Sequence, residues 1–220
     1  MPRPEGGYKL ADGTKVPGVT TIISRFKESG ALIHWAWQCG IDGKDYRKVR
    51  DTAAGIGTVV HDMIENWLRG PPVAVPQSYL VLDPESASKA DQSFKNFVTW
   101  WESSVSEVVG QEQSMVSESL RCGGTIDVVA IVNQKHTILD WKTSNAVYTD
   151  HLIQLAAYRL LWNENFPDTP INGGVHILRF AKEHGDFSDH YFADVTDAER
   201  AFVLMRELYS LDKSLKKRIA

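Results

Sequence analysis

Two short stretches constrain this chain's fold more than any other part of it. They are residues 123–132, which read Gly-Gly-Thr-Ile-Asp-Val-Val-Ala-Ile-Val, and residues 137–142, which read Thr-Ile-Leu-Asp-Trp-Lys. Both are β-branched and apolar nearly throughout, the pattern of strands at the centre of a sheet covered on both faces. Each nevertheless carries an acid, Asp127 in one and Asp140 in the other. A bare carboxylate in such a place is costly to desolvate, so it must be paired, protonated or bound to a metal. If Asn133 and Gln134 form a two-residue hairpin loop, Asp127 faces Asp140. If residues 133–136 form a four-residue loop, Asp127 faces Lys142. Either even-length loop places Asp127, Asp140 and Lys142 on one sheet face, because side chains alternate with period two. A three-residue loop would turn Asp127 to the other face.

The rest of the chain supplies layers for such a sheet. Residues 8–16 read as a hairpin turning at Asp12-Gly13. Residues 19–26 and 31–39 read as short helices joined at Gly30. Residues 45–68 read as a long helix interrupted or bent around Gly55 and Gly57 and stopped at Gly70-Pro71-Pro72. Residues 85–103 form a further amphipathic helix. Strand-like segments at 114–121, 125–132 and 137–141 follow, then a helix at 150–165. Two strands at 174–180 and 187–193 flank a turn at Glu183-His184-Gly185-Asp186. Thr196 and Glu199 form a capping-box pattern that opens a last helix. This order predicts an α/β fold with a mixed central β-sheet flanked by helices and an N-terminal helical part. The length of 220 residues suits one domain over 1–220: a mainly helical part at 1–105, the sheet core at 106–195 and a closing helix at 196–220.

Composition excludes several classes. No run approaches the roughly 18 apolar residues of a membrane span, and residues 1–7 lack the apolar core of a signal peptide, so a cytoplasmic protein is expected. The two cysteines, Cys39 and Cys122, are far apart and supply neither a disulfide framework nor an iron–sulfur cluster. The net charge of −4 argues mildly against a protein that coats nucleic acid, but not against an enzyme with a local basic groove. Lys44, Arg47, Lys48 and Arg50 form one such concentration. Lys213, Lys216, Lys217 and Arg218 form another.

Two carboxylates and a lysine on one sheet face suit phosphodiester hydrolysis. The acids hold hard divalent cations, the cations activate water, and the lysine offsets charge at phosphorus. The plainer alternative is a buried Asp–Lys pair bracing the sheet.

The spacing Gly124-x-x-Asp127, twelve residues, then Asp140-x-Lys142 resembles the PD-(D/E)XK nuclease superfamily, and within it the RecB-type, Cas4-like branch. Gly57-x-x-x-His61 is similar to that branch's upstream motif and Gln154-x-x-x-Tyr158 to its downstream one. The resemblance spans about residues 15 to 180. The missing cluster cysteines place the chain nearer the cluster-free phage exonucleases and the mitochondrial genome maintenance exonuclease. It implies catalysis by Asp127, Asp140, Lys142, His61, Gln154 and Tyr158, with His61, Asp127 and Asp140 as ligands to one or two Mg²⁺ or Mn²⁺ ions. It implies DNA as substrate, single-stranded or with ends, and a recombination or replication protein as partner. Thr143, Ser144, Arg47 and Lys48 are candidate DNA contacts. Glu65 and Glu118 are weaker candidates for a second ion, with exposed carboxylates the commoner outcome. The pairs Trp35/Trp37 and Trp100/Trp101 are stacking candidates, more commonly core. The leading expectation is a metal-dependent DNA exonuclease. A flap- or branch-specific endonuclease, or a non-catalytic DNA-binding protein of the same fold, are the alternatives.

Overall fold

A computed structural model describes residues 4–27, 30–71, 75–144, 146–180 and 187–219. The helical part comprises α1 (Val19–Phe26), α2 (Gly30–Ile41), α3 (Tyr46–Leu68) and α4 (Pro84–Ser104). Strands β1 (Val105–Ser117), β2 (Cys122–Val132) and β3 (Lys135–Thr143) follow. They lead to α5 (Thr149–Asn165), β4 (Val175–Phe180), β5 (Phe187–Phe192) and α6 (Thr196–Ile219). The strands form one mixed sheet in the order β1-β2-β3-β4-β5. The β3–β4 pairing alone is parallel, with α5 as its crossover. The others are antiparallel.

Both sheet faces are covered, as the apolar strands require. Val129, Ile138, Val175 and Ile177 pack with α1, α5 and α6, through residues such as Ile22, Leu155 and Phe202. Val128, Ala130, Leu139, Trp141 and Phe180 pack with α3 and α4, through Val60, Ile64 and Phe97.

Several local expectations are corrected. The helix α3 runs through Gly55 and Gly57 without interruption, capped by the Asp45 carboxylate on the Arg47 N–H. The first strand begins at Val105 and ends at Ser117, not Arg121. Arg121 adopts a left-handed backbone in the turn that follows. The Glu164 carboxylate fastens that turn, accepting from Ser117 Oγ (2.6 Å), Glu118 N (2.7 Å) and Ser119 Oγ (2.7 Å). The capping box at Thr196 does not form. The Asp194 carboxylate takes the Thr196 N–H and hydroxyl, and Glu199 pairs with Arg159 at 2.6 Å. The expected turn at residues 183–186 lies outside the described residues.

Candidate active site

The β2–β3 hairpin decides the site. Val132 pairs with Lys135, leaving Asn133 and Gln134 as a two-residue loop, both with positive φ (50° and 62°). That is the primed turn whose twist suits a tight hairpin. The even-length loop is therefore the observed one. Pairing runs to Val128 and Leu139 and stops there. Asp127 and Asp140 are the next residues on the two strands, at the point where β2 and β3 fork. Beyond it β2 continues beside β1 and β3 beside β4. The Trp141 N–H, released from the β2–β3 ladder, donates to Asp127 Oδ2 at 3.4 Å.

The fork holds a buried charge cluster. Asp127 and Asp140 are 0% and 1% exposed. Lys142 Nζ lies 3.0 Å from Asp140 Oδ1 and 2.7 Å from Oδ2, with hydrogen-bond geometry only to Oδ1. Among the described residues, Asp127 Oδ1 and Asp140 Oδ2 have no hydrogen-bond partner. Burial first, and Asp140 second, hold the Asp127 carboxyl well above the ordinary carboxylate range, with Lys142 pulling the other way. Burial opposes the Lys142 charge, but Asp140 and then Asp127 outweigh it and raise the ammonium above its usual value. One cation thus serves two carboxylates. Asp140 Oδ2 still has the ammonium 2.7 Å away, so Asp127 Oδ1 is the buried oxygen left with the least compensation.

The flanking motifs have visible steric reasons. A Cβ on Gly124 would lie 2.6 Å from Tyr158 Cε1, so this glycine lets α5 bring Tyr158 down onto β2. A Cβ on Gly57 would lie 3.1 Å from Thr143 Oγ1, so it lets α3 approach the end of β3. Gly124→Ala is expected to destabilise the fold by about 1–3 kcal/mol through overpacking against Tyr158. Chemical denaturation checks this, and an unchanged midpoint would show the ring free to move aside.

Gln154 and Tyr158 share one face of α5, with Gln154 Nε2 donating to Tyr158 Oη at 2.9 Å. Burial, then Asp140, pushes the Tyr158 hydroxyl up, so it acts as a neutral hydrogen-bonding group. His61 stands edge-on to the Trp141 ring, with centroids 5.9 Å apart. Alternation along β3 turns Trp141 to the α3–α4 side, opposite Asp140 and Lys142. Burial, then Lys142, lowers the His61 imidazole to about 3, while a backbone hydrogen bond with Trp141 opposes this. The ring is therefore neutral with a lone pair to offer. Among the described residues no group of three or more His, Cys, Asp or Glu side chains is placed to hold a metal ion. The structure brings Asp127, Asp140 and Lys142 together and sets His61 against the next residue of β3.

The remaining candidates divide. The Thr143 hydroxyl is buried without a partner beside Gly57. The Ser144 hydroxyl is taken by the Ala146 carbonyl at 2.8 Å. Arg47 and Lys48 are exposed at the start of α3, about 20 Å from His61 at ~1.5 Å per helical residue. Glu118 lies in the β1–β2 turn and accepts from Ala11 N at 2.7 Å, so it braces the N-terminal hairpin. Glu65 pairs with Arg69. Trp101 is core, and Trp100 Nε1 donates to Asp189 Oδ2, which holds α4 to β5.

Two acidic or basic neighbours were missed by sequence reading. Glu112 sits on β1 between Gln111, which pairs with Val128, and Gln113, which pairs with Ile126, and so lies opposite Asp127. Its backbone is left-handed at φ 49°, and burial, then Glu65, raises its carboxyl. His151 stands one helical turn before Gln154, a spacing that could have revealed it. Burial, then Lys142, holds its imidazole below the ordinary value.

Residues 33–213 match the model of the PD-(D/E)XK nuclease superfamily. This chain belongs to that superfamily. The five-stranded mixed sheet with flanking helices is consistent with the PD-(D/E)XK core. A solved protein named "Putative exonuclease", from Eubacterium rectale, is similar at 13% identity and a TM-score of 0.50. The match covers 71% of this chain and 64% of that one, so the chain spans less than two thirds of that protein's length. At this identity the likeness shows the fold alone. The structure of SSO0001 matches at 12% identity and a TM-score of 0.33, covering 69% of this chain and 71% of that one, too low to carry an argument. Comparison with curated proteins returned no match. No helix among the described residues is long and apolar enough to cross a membrane.

Proposed function

We propose that this PD-(D/E)XK protein is a divalent-metal-dependent DNA exonuclease of the RecB-type branch, hydrolysing phosphodiester bonds from strand ends. The observation that carries the hydrolytic reading is the fully buried Asp127, with one orphaned oxygen, beside Asp140 and Lys142. A sheet braced by an ion pair has no use for a second buried acid. The chemistry of the two buried carboxylates, each with an oxygen lacking a hydrogen bond among the described residues, suits a hard divalent ion. Asp127 and Asp140 would hold it, with His61 as the third candidate ligand. A bound Mg²⁺ or Mn²⁺ supplies an activated water and neutralises phosphate charge.

The chain's own groups do the rest. Asp140 holds the Lys142 ammonium at the mouth of the fork, where it orients the water and offsets charge on phosphorus. Gln154, fixed by Tyr158, offers its remaining amide positions toward the phosphate. The exposed Arg47 and Lys48 at the start of α3 are the candidate contacts for the phosphates of a bound strand.

The test is digestion of end-labelled linear single- and double-stranded DNA beside a closed circle, with Mg²⁺ or Mn²⁺, with chelator, and with the Lys142→Ala protein. Metal-dependent loss of linear DNA alone, absent in the variant, is the expected result. Cutting of the circle would replace the exonuclease with an endonuclease. Binding without cutting of any substrate would defeat the catalytic reading. Arg47→Ala and Lys48→Ala are each expected to weaken DNA binding and to lower the salt slope by about one. A salt titration of binding reads this, and an unchanged slope would remove these residues from the strand's path.

A further inference from the structure

The His151 ring has one nitrogen engaged and one without a hydrogen-bond partner among the described residues. The Tyr148 carbonyl accepts the His151 backbone N–H at 3.0 Å, and the Tyr148 N–H lies 3.4 Å from His151 Nδ1. The Tyr148 ring packs edge-on against the imidazole, with centroids 5.3 Å apart. These contacts orient the ring and favour the tautomer in which Nδ1 accepts. With Nδ1 accepting, a neutral imidazole carries its proton on Nε2, as a donor. Nε2 lies on the far side of the ring, without a hydrogen-bond partner among the described residues. Residues 151, 154 and 158 follow the i, i+3, i+7 pattern, so His151 continues the face of α5 that carries Gln154 and Tyr158. The fields of Lys142, Asp150, Asp140 and Lys27 all reach the ring.

We propose that His151 is a substrate-positioning residue whose Nε2–H donates to a non-bridging oxygen of the phosphate presented to Asp127, Asp140 and Lys142. The proposal rests on the nuclease reading above and adds a contact that the four motifs do not contain. A neutral donor suits this place. Lys142 already supplies the positive charge, and a second cation beside it would repel it, whereas an oriented N–H holds a phosphate oxygen without that cost. Tyr148, half exposed at the start of α5, acts through the ring it orients.

Two variants separate a donor from a packing residue. His151→Phe keeps a ring against Tyr148 and removes the donor. His151→Gln restores an N–H near the position of Nε2. Cleavage is measured as kcat and KM, binding of a short 5′-phosphorylated oligonucleotide is measured in chelator, and folding is followed by thermal melting. The phenylalanine variant is expected to lose roughly 10- to 100-fold in kcat/KM, the effect of deleting a hydrogen bond to a charged group. It is also expected to bind the oligonucleotide more weakly at an unchanged Tm, with glutamine recovering most of both losses. Cleavage and binding unchanged in His151→Phe would overturn the proposal. So would glutamine falling together with phenylalanine, since the ring and not the donor would then matter. If the wild-type protein cuts no DNA, the nuclease reading fails by itself. The binding comparison then still decides whether Nε2 holds a phosphate.

Discussion

In metal-free buffer at neutral pH, Asp127→Asn is expected to unfold roughly 3–10 °C above the wild-type protein. Asp127 is fully buried, and among the described residues its charge would be met by a 3.4 Å N–H from Trp141 and a lysine already committed to Asp140. Asparagine keeps the shape and removes the charge without orphaning a partner, because the Asp140–Lys142 pair stays intact. Relieving such a buried charge is worth on the order of 1–4 kcal/mol, and each kcal/mol moves Tm by about 2–4 °C at this chain length. The sign with pH follows from the raised Asp127 carboxyl. The folded protein holds a proton that the unfolded chain gives up near its ordinary value of 3.8. The stability this group contributes is therefore present below that value and is lost as pH rises through the folded-state pKa. The variant's advantage should be small near pH 4 and grow toward neutrality. Added Mg²⁺ or Mn²⁺ is expected to raise the wild-type Tm and leave that of Asp127→Asn nearly unchanged. Thermal melts against pH and metal concentration check this. A variant less stable than wild type at neutral pH would show that Asp127 is already satisfied without a metal.

Lys142→Ala should move stability the other way. Removing the ammonium leaves Asp127 and Asp140 adjacent, buried and without a cation. Breaking a buried pair in this manner costs about 3–5 kcal/mol, so the metal-free variant is expected to melt about 10 °C or more below wild type. A divalent ion restores the missing positive charge, so the variant should recover more Tm on metal addition than wild type does. Cleavage should not recover with it. Loss of a group that offsets charge on phosphorus lowers the rate by about 10²–10³-fold. Melting and digestion run side by side separate the two roles of this lysine. A stable metal-free variant would deny its part in holding the acids, and a metal-rescued variant that cuts normally would deny its part in the chemistry.

Much of this was legible because it depends on local rules. The apolar runs around Asp127 and Asp140 could be strands only in a doubly covered sheet, and a mixed sheet between helices is what the chain forms. Gln154 and Tyr158 could be placed on one helix face from their spacing alone, and the structure joins them. Glu112 could not be found in this way. Its place opposite Asp127 depends on the β1–β2 register and on a left-handed residue inside a strand, and neither leaves a mark in composition or periodicity. Glu118 was misplaced for a related reason. The residue pattern reads as strand through to Arg121, whereas Glu164, forty-six residues away from Glu118, holds residues 117–119 as a turn.

The sequence by itself determined which residues are apolar and which are acid, and that any even loop would put Asp127, Asp140 and Lys142 on one face, since side chains alternate with period two. It could not choose among the two-, three- and four-residue loops, and so could not fix that parity, because the choice rests on positive φ at Asn133 and Gln134, neither of them glycine. Nor could it tell that the strands part immediately beyond Val128 and Leu139. That fork arises because β3 is drawn to β4 while β2 remains with β1, a competition between pairings distant in sequence. Tertiary packing alone turned two acids in neighbouring strands into a buried pair sharing one lysine, and their shared desolvation makes the site a place for added positive charge.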